Sequence, residues 1–289
     1  MKVSIVISLC DNRYEMLKRS LDTWNKQTFP KEDFELVMVD DANRKDLKKL
    51  CQSYKELNFQ YVQIDNNKCD KPIKTFIPVL SNNIGFRMAK GEVVVVTGPE
   101  TLQAEKNVEV SYSMSYRNNC AYGLVFKSNL EFVNYIEQNW ENLKNEDFQK
   151  LLNIKGARAG CLTVPPHPPA YWYYMAVNKN SVEEIGGVDE EFAAGFCAED
   201  DDFANRMKML GTIPIFEHKI IGIHQDHSEV DKSSSAHENR RSPEWRKLRE
   251  RNIFLMRQNI LQNKIVANQD HIWGDLKVIV SHEIFGGKK

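Results

Sequence analysis

Short apolar runs, too continuous for strands with one wet face, constrain the fold of this chain most. Val3–Leu9, Phe34–Val39 and Val93–Thr97 are built mainly from Val, Ile, Leu and Met, and amphipathic stretches separate them. Strands of that kind are buried on both faces, which means a parallel sheet with helices above and below. Phe59–Ile64 supplies a further strand. The spacing predicts helices over Tyr14–Lys26 (Met16, Leu17, Leu21 and Trp24 inward), Asp46–Tyr54 and Pro78–Ala89. Ligands of such sheets sit at the carboxyl ends of the strands. Polar residues gather at those ends: Asp11, Asn12 and Arg13 after the first, Asp40 and Asp41 after the second, Glu100 after Val93–Thr97.

At 289 residues the chain suits one large domain or two joined halves. The formal net charge of -1 carries no basic excess, which argues against a nucleic-acid partner. Cys10, Cys51, Cys69, Cys120, Cys161 and Cys197 are scattered without metal-type spacing, as free thiols in a reducing, cytoplasmic setting would be. Met1–Leu9 runs straight into Asp11-Asn12-Arg13 with no cleavage-type small residues, so a buried first strand is expected there rather than a leader. No apolar run is long enough to span a bilayer.

The second half changes character. Helices near Lys106–Arg117 and Phe132–Leu143 flank a strand around Tyr122–Lys127. A proline-rich loop, Pro165–Pro169, precedes an aromatic strand, Tyr171–Tyr174. Short strands at Thr212–Phe216 and Lys219–Ile223 end at His224-Gln225-Asp226-His227, and Ser233–Ser235 marks a joint before a basic amphipathic helix, Ser242–Gln262. Between them, Glu199-Asp200-Asp201-Asp202 opens a helix over Asp201–Leu210, with Phe203, Met207 and Leu210 on one face and Gly211 ending it. Four adjacent acids repel one another. They are either a solvated helix start favoured by the helix dipole or a site of carboxylate chemistry. For Asp202 helix capping is the preferred reading.

These residues together resemble the GT-A glycosyltransferases, most closely family 2, over about Val3 to His227. Val3-Ser4-Ile5-Val6-Ile7 with Asp11-Asn12-Arg13, then Val37-Met38-Val39-Asp40-Asp41, is similar to that family's nucleotide-binding opening. Asn82-Asn83-Ile84-Gly85-Phe86-Arg87-Met88-Ala89-Lys90-Gly91-Glu92 is similar to its helix and strand before the metal motif. Glu199-Asp200-Asp201-Asp202 with Arg206 resembles the acidic segment of inverting, galactosyltransferase-like members. The resemblance implies an α/β GT-A fold: a Rossmann-like nucleotide-sugar half (1–100), an acceptor half (101–227), a mostly parallel central sheet, and a helical C-terminal extension (228–289). It implies an inverting transfer of a hexosyl or N-acetylhexosaminyl group from a nucleotide donor, UDP by family preference, to a glycan or lipid-linked glycan.

The family usually carries Asp-x-Asp after the fourth strand. Here Gly98 stands for the first acid and Glu100 for the second. Either Glu100 and His224 hold a divalent metal (Mn or Mg) with the diphosphate, or the enzyme works without one. The resemblance implies Asp200 as general base and Glu199 and Asp201 as acceptor-binding. Asp11, Arg13, Asp40, Asp41, Asn83, Arg87, Gly98 and Glu100 are the expected donor-binding set. Tyr171 and Trp172 are candidates for stacking on a sugar, though alternating strand aromatics also suit a core. The basic helix over 242–262 suits either packing on the catalytic domain or peripheral membrane contact. Three other readings are a nucleotide-sugar-binding protein without catalysis, a transferase acting on a modified nucleobase or protein, and a dehydrogenase. The last lacks the glycine-rich turn after Val3–Leu9.

Overall fold

The structure, a computed structural model, describes residues 1–9, 13–41, 44–68, 78–116, 119–163, 171–228 and 242–287. Asp11, the proline-rich loop 165–169, the serine joint 233–235 and the side chain of Tyr171 lie outside the described residues.

Strand β1 (Val3–Leu9) is central, with β2 (Phe34–Asp40) on one side and β4 (Val93–Thr97) on the other, both parallel to it. Beyond β2 lies β3 (Asn58–Ile64), also parallel. Side chains alternate as a two-residue period demands. Ile5, Ile7, Leu36 and Met38 face Leu17, Leu21 and Trp24 of α1 (Tyr14–Asn25) and Leu47 and Leu50 of α2 (Lys45–Ser53). Val6, Val37, Val39, Val94 and Val96 face α3 (Val79–Met88). Both faces are therefore covered, and the apolar runs need no polar alternation.

The remaining strands are β5 (Thr101–Gln103), β6 (Asn119–Lys127), β7 (Gly160–Cys161), β8 (Met175–Asn178), β9 (Ile213–His224) and β10 (Ile279–Gly286). Among the described residues they complete one sheet in the order β10-β3-β2-β1-β4-β8-β6-β9-β5, with β7 beside β6. Parallel pairing is continuous from β3 to β4 and recurs between β6 and β9. Strand β8 is antiparallel to both β4 and β6. Met175 pairs with Val96 and Asn178 with Val93, so the chain enters β8 beside the carboxyl end of β4 and must run the opposite way. Tyr171–Tyr173 form a 3-10 turn rather than the start of an aromatic strand. The two strands expected before His224 are one strand, whose pairing with β6 shifts between Gly123 and Leu124. Helices α4 (Asn107–Ser115), α5 (Leu130–Leu143), α6 (Phe148–Leu152) and α7 (Lys179–Glu184) follow the mixed half, and Phe132, Ile136 and Trp140 of α5 cover Leu102 and Ile223.

Two helices carry the rest of the argument. Helix α8 (Glu199–Met209) begins two residues before the expected start and buries Phe203 and Met207. Helix α9 (Pro243–Leu261) is capped by Ser242 and packs on α8. Its fully buried positions are two asparagines, Asn252 and Asn259, while Phe254 and Leu261 are 64% and 75% exposed. No described helix is long and apolar enough to cross a membrane. Strand β10, which the sequence did not signal, closes the sheet against β3.

Candidate active site

A cavity of about 390 Å³ opens at the carboxyl ends of β1 and β4. One part of its wall comes from the turn after β4. Thr97, Gly98, Pro99 and Glu100 line it, and β5 then runs antiparallel to β9 with Thr101 opposite His224. That register brings His224 Nε2 to 3.1 Å from Glu100 Oε1. Gln225 fixes the end of β9: its backbone and side-chain N–H groups donate to the Glu100 carbonyl, and Arg19 donates to its Oε1 at 2.6 Å.

Glycine at position 98 has a steric reason. A Cβ there would come within 2.7 Å of Glu100 Oε1, so the folded-back carboxylate and a side chain at 98 compete for one space. Burial by itself would raise the Glu100 carboxyl. The His224 hydrogen bond and charge, with Arg13 and His227, overcome that and bring it down to about 2. Glu100, His224 and His227 present ligand atoms within 4.8 Å of one another. The Nδ1 atom of His224 is buried without a hydrogen-bond partner, and Tyr173 packs edge-on against its ring at 4.9 Å. One carboxylate oxygen with two imidazoles fits a divalent ion such as Mn.

Glu199 and Asp200 form another part of the wall. They reach it through an unusual helix start. Cys197 and Ala198 have φ of 62° and 68°, and Ala198 caps α8 with no side-chain hydrogen bond. Left-handed backbone costs a non-glycine residue about 1–2 kcal/mol, so this turn is maintained by its surroundings. Asp200 Oδ1 accepts from the Asp201 N–H at 2.9 Å. Burial, and then the Asp200 charge, raise the Glu199 carboxyl above the ordinary range. The Trp172 indole lies near enough to oppose this slightly, yet Trp172 Nε1 and Glu199 Oε2 both remain buried without a bonded partner.

A carboxyl raised in the folded state binds its proton more tightly there than in the unfolded chain. Its stabilising contribution is complete below the ordinary carboxylate pKa and is lost as pH rises through the folded value. Glu199→Gln is therefore expected to melt higher than the parent at pH 8 and alike at pH 4. Equal melting temperatures at both pH values would show that Glu199 ionises freely.

The structure sorts the sequence candidates. Arg13, Gly98, Glu100, Trp172, Glu199, Asp200 and His224 share the cavity wall. Asn83 does not: it is fully buried, bonded to Val188 and Glu190. Its neighbour Asn82 lines the cavity instead, accepting from Ser8 Oγ at 2.8 Å with a buried, unpartnered Nδ2. Helical phase decides this one-residue difference, and the sequence could have shown it only with the helix start fixed. Arg87 is exposed and stacks over Trp273 at 5.6 Å, away from the lining. Asp40 is buried and accepts from Tyr61 Oη at 2.7 Å; neither it nor Asp41 lines the cavity. Asp201 is outside the lining as well. Asp202 is no cap: it pairs with Arg206 at 2.7 Å and accepts from Asn259 at 2.9 Å. Sequence reasoning missed Ser8, Asn82, Phe196 and Cys197, all of which face the cavity.

Comparison with known proteins identifies the fold and the family. The chain is 27% identical over 118 residues to a poly(ribitol-phosphate) beta-glucosyltransferase of Bacillus spizizenii, covering 41% of this chain but only 18% of that protein's length. Among solved structures, the mannosyltransferase PcManGT of Pyrobaculum calidifontis, in complex with GDP-Man and Mn2+, superposes with a TM-score of 0.54 at 17% identity. The superposition covers 90% of this chain and 64% of that one. TarS 1-349 of S. aureus in complex with UDP gives 0.54 at 14% identity over 93% of this chain and 76% of its own. These likenesses establish the GT-A fold. The profile of Glycosyl transferase family 2 matches residues 4–164, more than half of the chain, so this protein is an enzyme of glycosyltransferase family 2.

Proposed function

We propose that the protein is an inverting transferase that moves a sugar from a nucleoside-diphosphate donor to a hydroxyl of a surface polysaccharide or polyol-phosphate acceptor. The observation that carries this reading is the meeting in one cavity of two unlike groups: the Glu100–His224–His227 cluster and the Glu199–Asp200 carboxylates. The family profile ends at residue 164, so the roles of the acids rest on this geometry and on the resemblance of their segment.

Asp200 takes the proton from the acceptor hydroxyl as its oxygen attacks the anomeric carbon. The new C–O bond forms on the face opposite the departing diphosphate, which leaves with the bonding electron pair, and the configuration inverts. Glu199 and Trp172 offer the acceptor a buried polar atom each. Arg13 and the Asn82 Nδ2 face the side where a diphosphate would sit, and the nucleoside would extend towards the ends of β1 and β2, near Asp41. Glu100 and His224, with His227, would hold a divalent ion, which when bound supplies positive charge to the leaving diphosphate. The mixed oxygen and nitrogen set favours Mn over Mg. The Bacillus relative's name supports a polyol-phosphate acceptor, and the UDP and GDP-Man complexes of the structural neighbours support a nucleoside-diphosphate sugar.

A thermal-shift panel of UDP, GDP, CDP and dTDP, each with and without Mn, tests the donor site. Ligand at 100 times its Kd stabilises the native state by about 2.7 kcal/mol. One diphosphate should raise the melting temperature, with a larger rise when Mn is present and no Mn increment in Glu100→Ala. A panel without any shift would remove the donor-site reading.

A further inference from the structure

The C-terminal helix α9 meets the loop before the acids at several points: the Trp245 ring packs edge-on against Phe196 at 4.3 Å, Arg251 donates to the Glu191 carbonyl at 3.0 Å, and Asn252 bonds to both ends of the loop. Asn252 is fully buried, and its Nδ2 donates to the carbonyls of Phe192 and Cys197, each at 3.0 Å. Its Oδ1 accepts from Arg251 Nη1 at 2.8 Å. Gly195 lies directly against this amide: a Cβ there would fall 2.0 Å from Asn252 Oδ1. The Phe196 N–H also donates to the Leu248 carbonyl of the same helix at 3.3 Å. A single amide thus ties together the two ends of the loop that leads into Glu199.

The left-handed turn begins where this loop ends. The carbonyl of Cys197 belongs to the peptide plane that sets ψ of Cys197 and φ of Ala198. Fixing that oxygen fixes the angle at which α8 departs, and with it the direction of Glu199 and Asp200. Neither residue of the turn is glycine, and Ala198 receives no side-chain cap. The constraint on the turn has to come from outside it, and Asn252 donates to its carbonyl.

We propose that Asn252 is a positioning residue for the transfer reaction: by gripping the Cys197 carbonyl it keeps the Cys197–Ala198 turn left-handed and so holds Glu199 and Asp200 at the cavity. This rests on the reading of Asp200 as the base. It also makes the C-terminal helix part of the catalytic apparatus.

The test uses the full chain carrying Asn252→Asp, which keeps the side-chain volume and removes the donor. Two readouts apply: hydrogen–deuterium exchange, and nucleotide release from the sugar donor whose diphosphate gives the thermal shift. Exchange should rise over residues 195–201 and stay parental in β4. Turnover should fall about 10²-fold, the scale of a misplaced catalytic group, with donor KM unchanged. Ala198→Gly in the Asn252→Asp background should restore part of kcat, because glycine adopts left-handed φ without steric cost. An asparagine that merely anchors α9 would lower the melting temperature and show no such rescue. If Asn252→Asp fails to fold, Gly195→Ala presses a Cβ into the same amide and reads the same contact. Parental kcat and parental exchange over 195–201 in a folded variant would overturn the proposal. Asp200→Asn measured in parallel separates the two ideas. Parental turnover there removes the base assignment, while the exchange data still decide whether Asn252 holds the turn.

Discussion

Asp200→Asn is expected to lower turnover by about 10²–10⁴-fold, the usual contribution of a positioned general base, while leaving nucleotide binding intact. The substitution is nearly isosteric, and the amide oxygen can still accept from the Asp201 N–H, as Oδ1 does at 2.9 Å. The start of α8 should therefore keep its shape. What disappears is the only property the mechanism asks of residue 200, a lone pair basic enough to take the acceptor proton. Glu199 is a poor substitute: burial, the largest cause of its raised carboxyl and one that survives the substitution, favours its protonated form, and its Oε2 is buried. Initial-rate kinetics with a fixed donor, beside a thermal shift with the matching diphosphate, separate the two effects. Turnover within tenfold of the parent would mean that another group takes the proton.

The largest expected loss of stability comes from Arg206→Ala. Arg206 and Asp202 are 0% and 1% exposed, paired through Nε at 2.7 Å one helical turn apart on α8. Arg206 Nη1 also donates to the Ile185 carbonyl at 2.9 Å, and Asp202 Oδ1 accepts from Asn259 of α9. Removing the arginine leaves a buried carboxylate facing a cavity, while the Ile185 carbonyl keeps only its Ala267 N–H partner. Breaking one partner of such a pair costs about 3–5 kcal/mol, against total stabilities of about 5–15 kcal/mol. A fall in melting temperature on the order of 10 °C follows. Replacing both partners by Arg206→Met with Asp202→Leu should recover most of it, since no charge is then buried. Thermal melts of the three proteins check this. A single-variant loss below ~1 kcal/mol would mean that water reaches Asp202.

The same network joins α8 to the C-terminal segment. Asn259 also donates to Asp189 at 3.2 Å, and Lys264 pairs with Asp189 at 2.7 Å. Burial tends to raise the Asp189 carboxyl, but the Lys264 hydrogen bond and charge bring it below its ordinary value. Residues 252–264 therefore hold the acid-bearing helix by polar contacts. Part of the apolar set of α9 packs as well: Ile253, Leu255 and Met256 lie against the core that holds Phe203 and Met207, while Phe254 and Leu261, seven residues apart, face outward.

How much of this was legible varied with the kind of information required. Strands β1 to β4 and helices α1 to α3 fall within a residue or two of their expected limits, because a doubly covered strand has to be apolar throughout and a helix beside it apolar on one side. The acids that open α8 and the Glu100–His224 pair were visible as residue types at the ends of elements. The aromatic run at 171–174 misled, since Tyr and Trp favour strands locally while the chain there has to turn into β8 at the edge of β4.

Asn82 and Asn83 are identical in type and adjacent, so only the phase of α3 on β1 sends one to the cavity and the other to Val188 and Glu190. Asp202 looks like a cap from its neighbours in sequence, but its partners Arg206 and Asn259 are set by the packing of two helices. The sequence alone determined the layered α/β frame and which chemical groups stand at its strand ends, because burial periodicity and residue type are local properties. Only the tertiary structure decided which of those groups meet, since the partners of Asp202, His224 and Asn252 lie far away in the chain or depend on packing angle, and no local pattern encodes either.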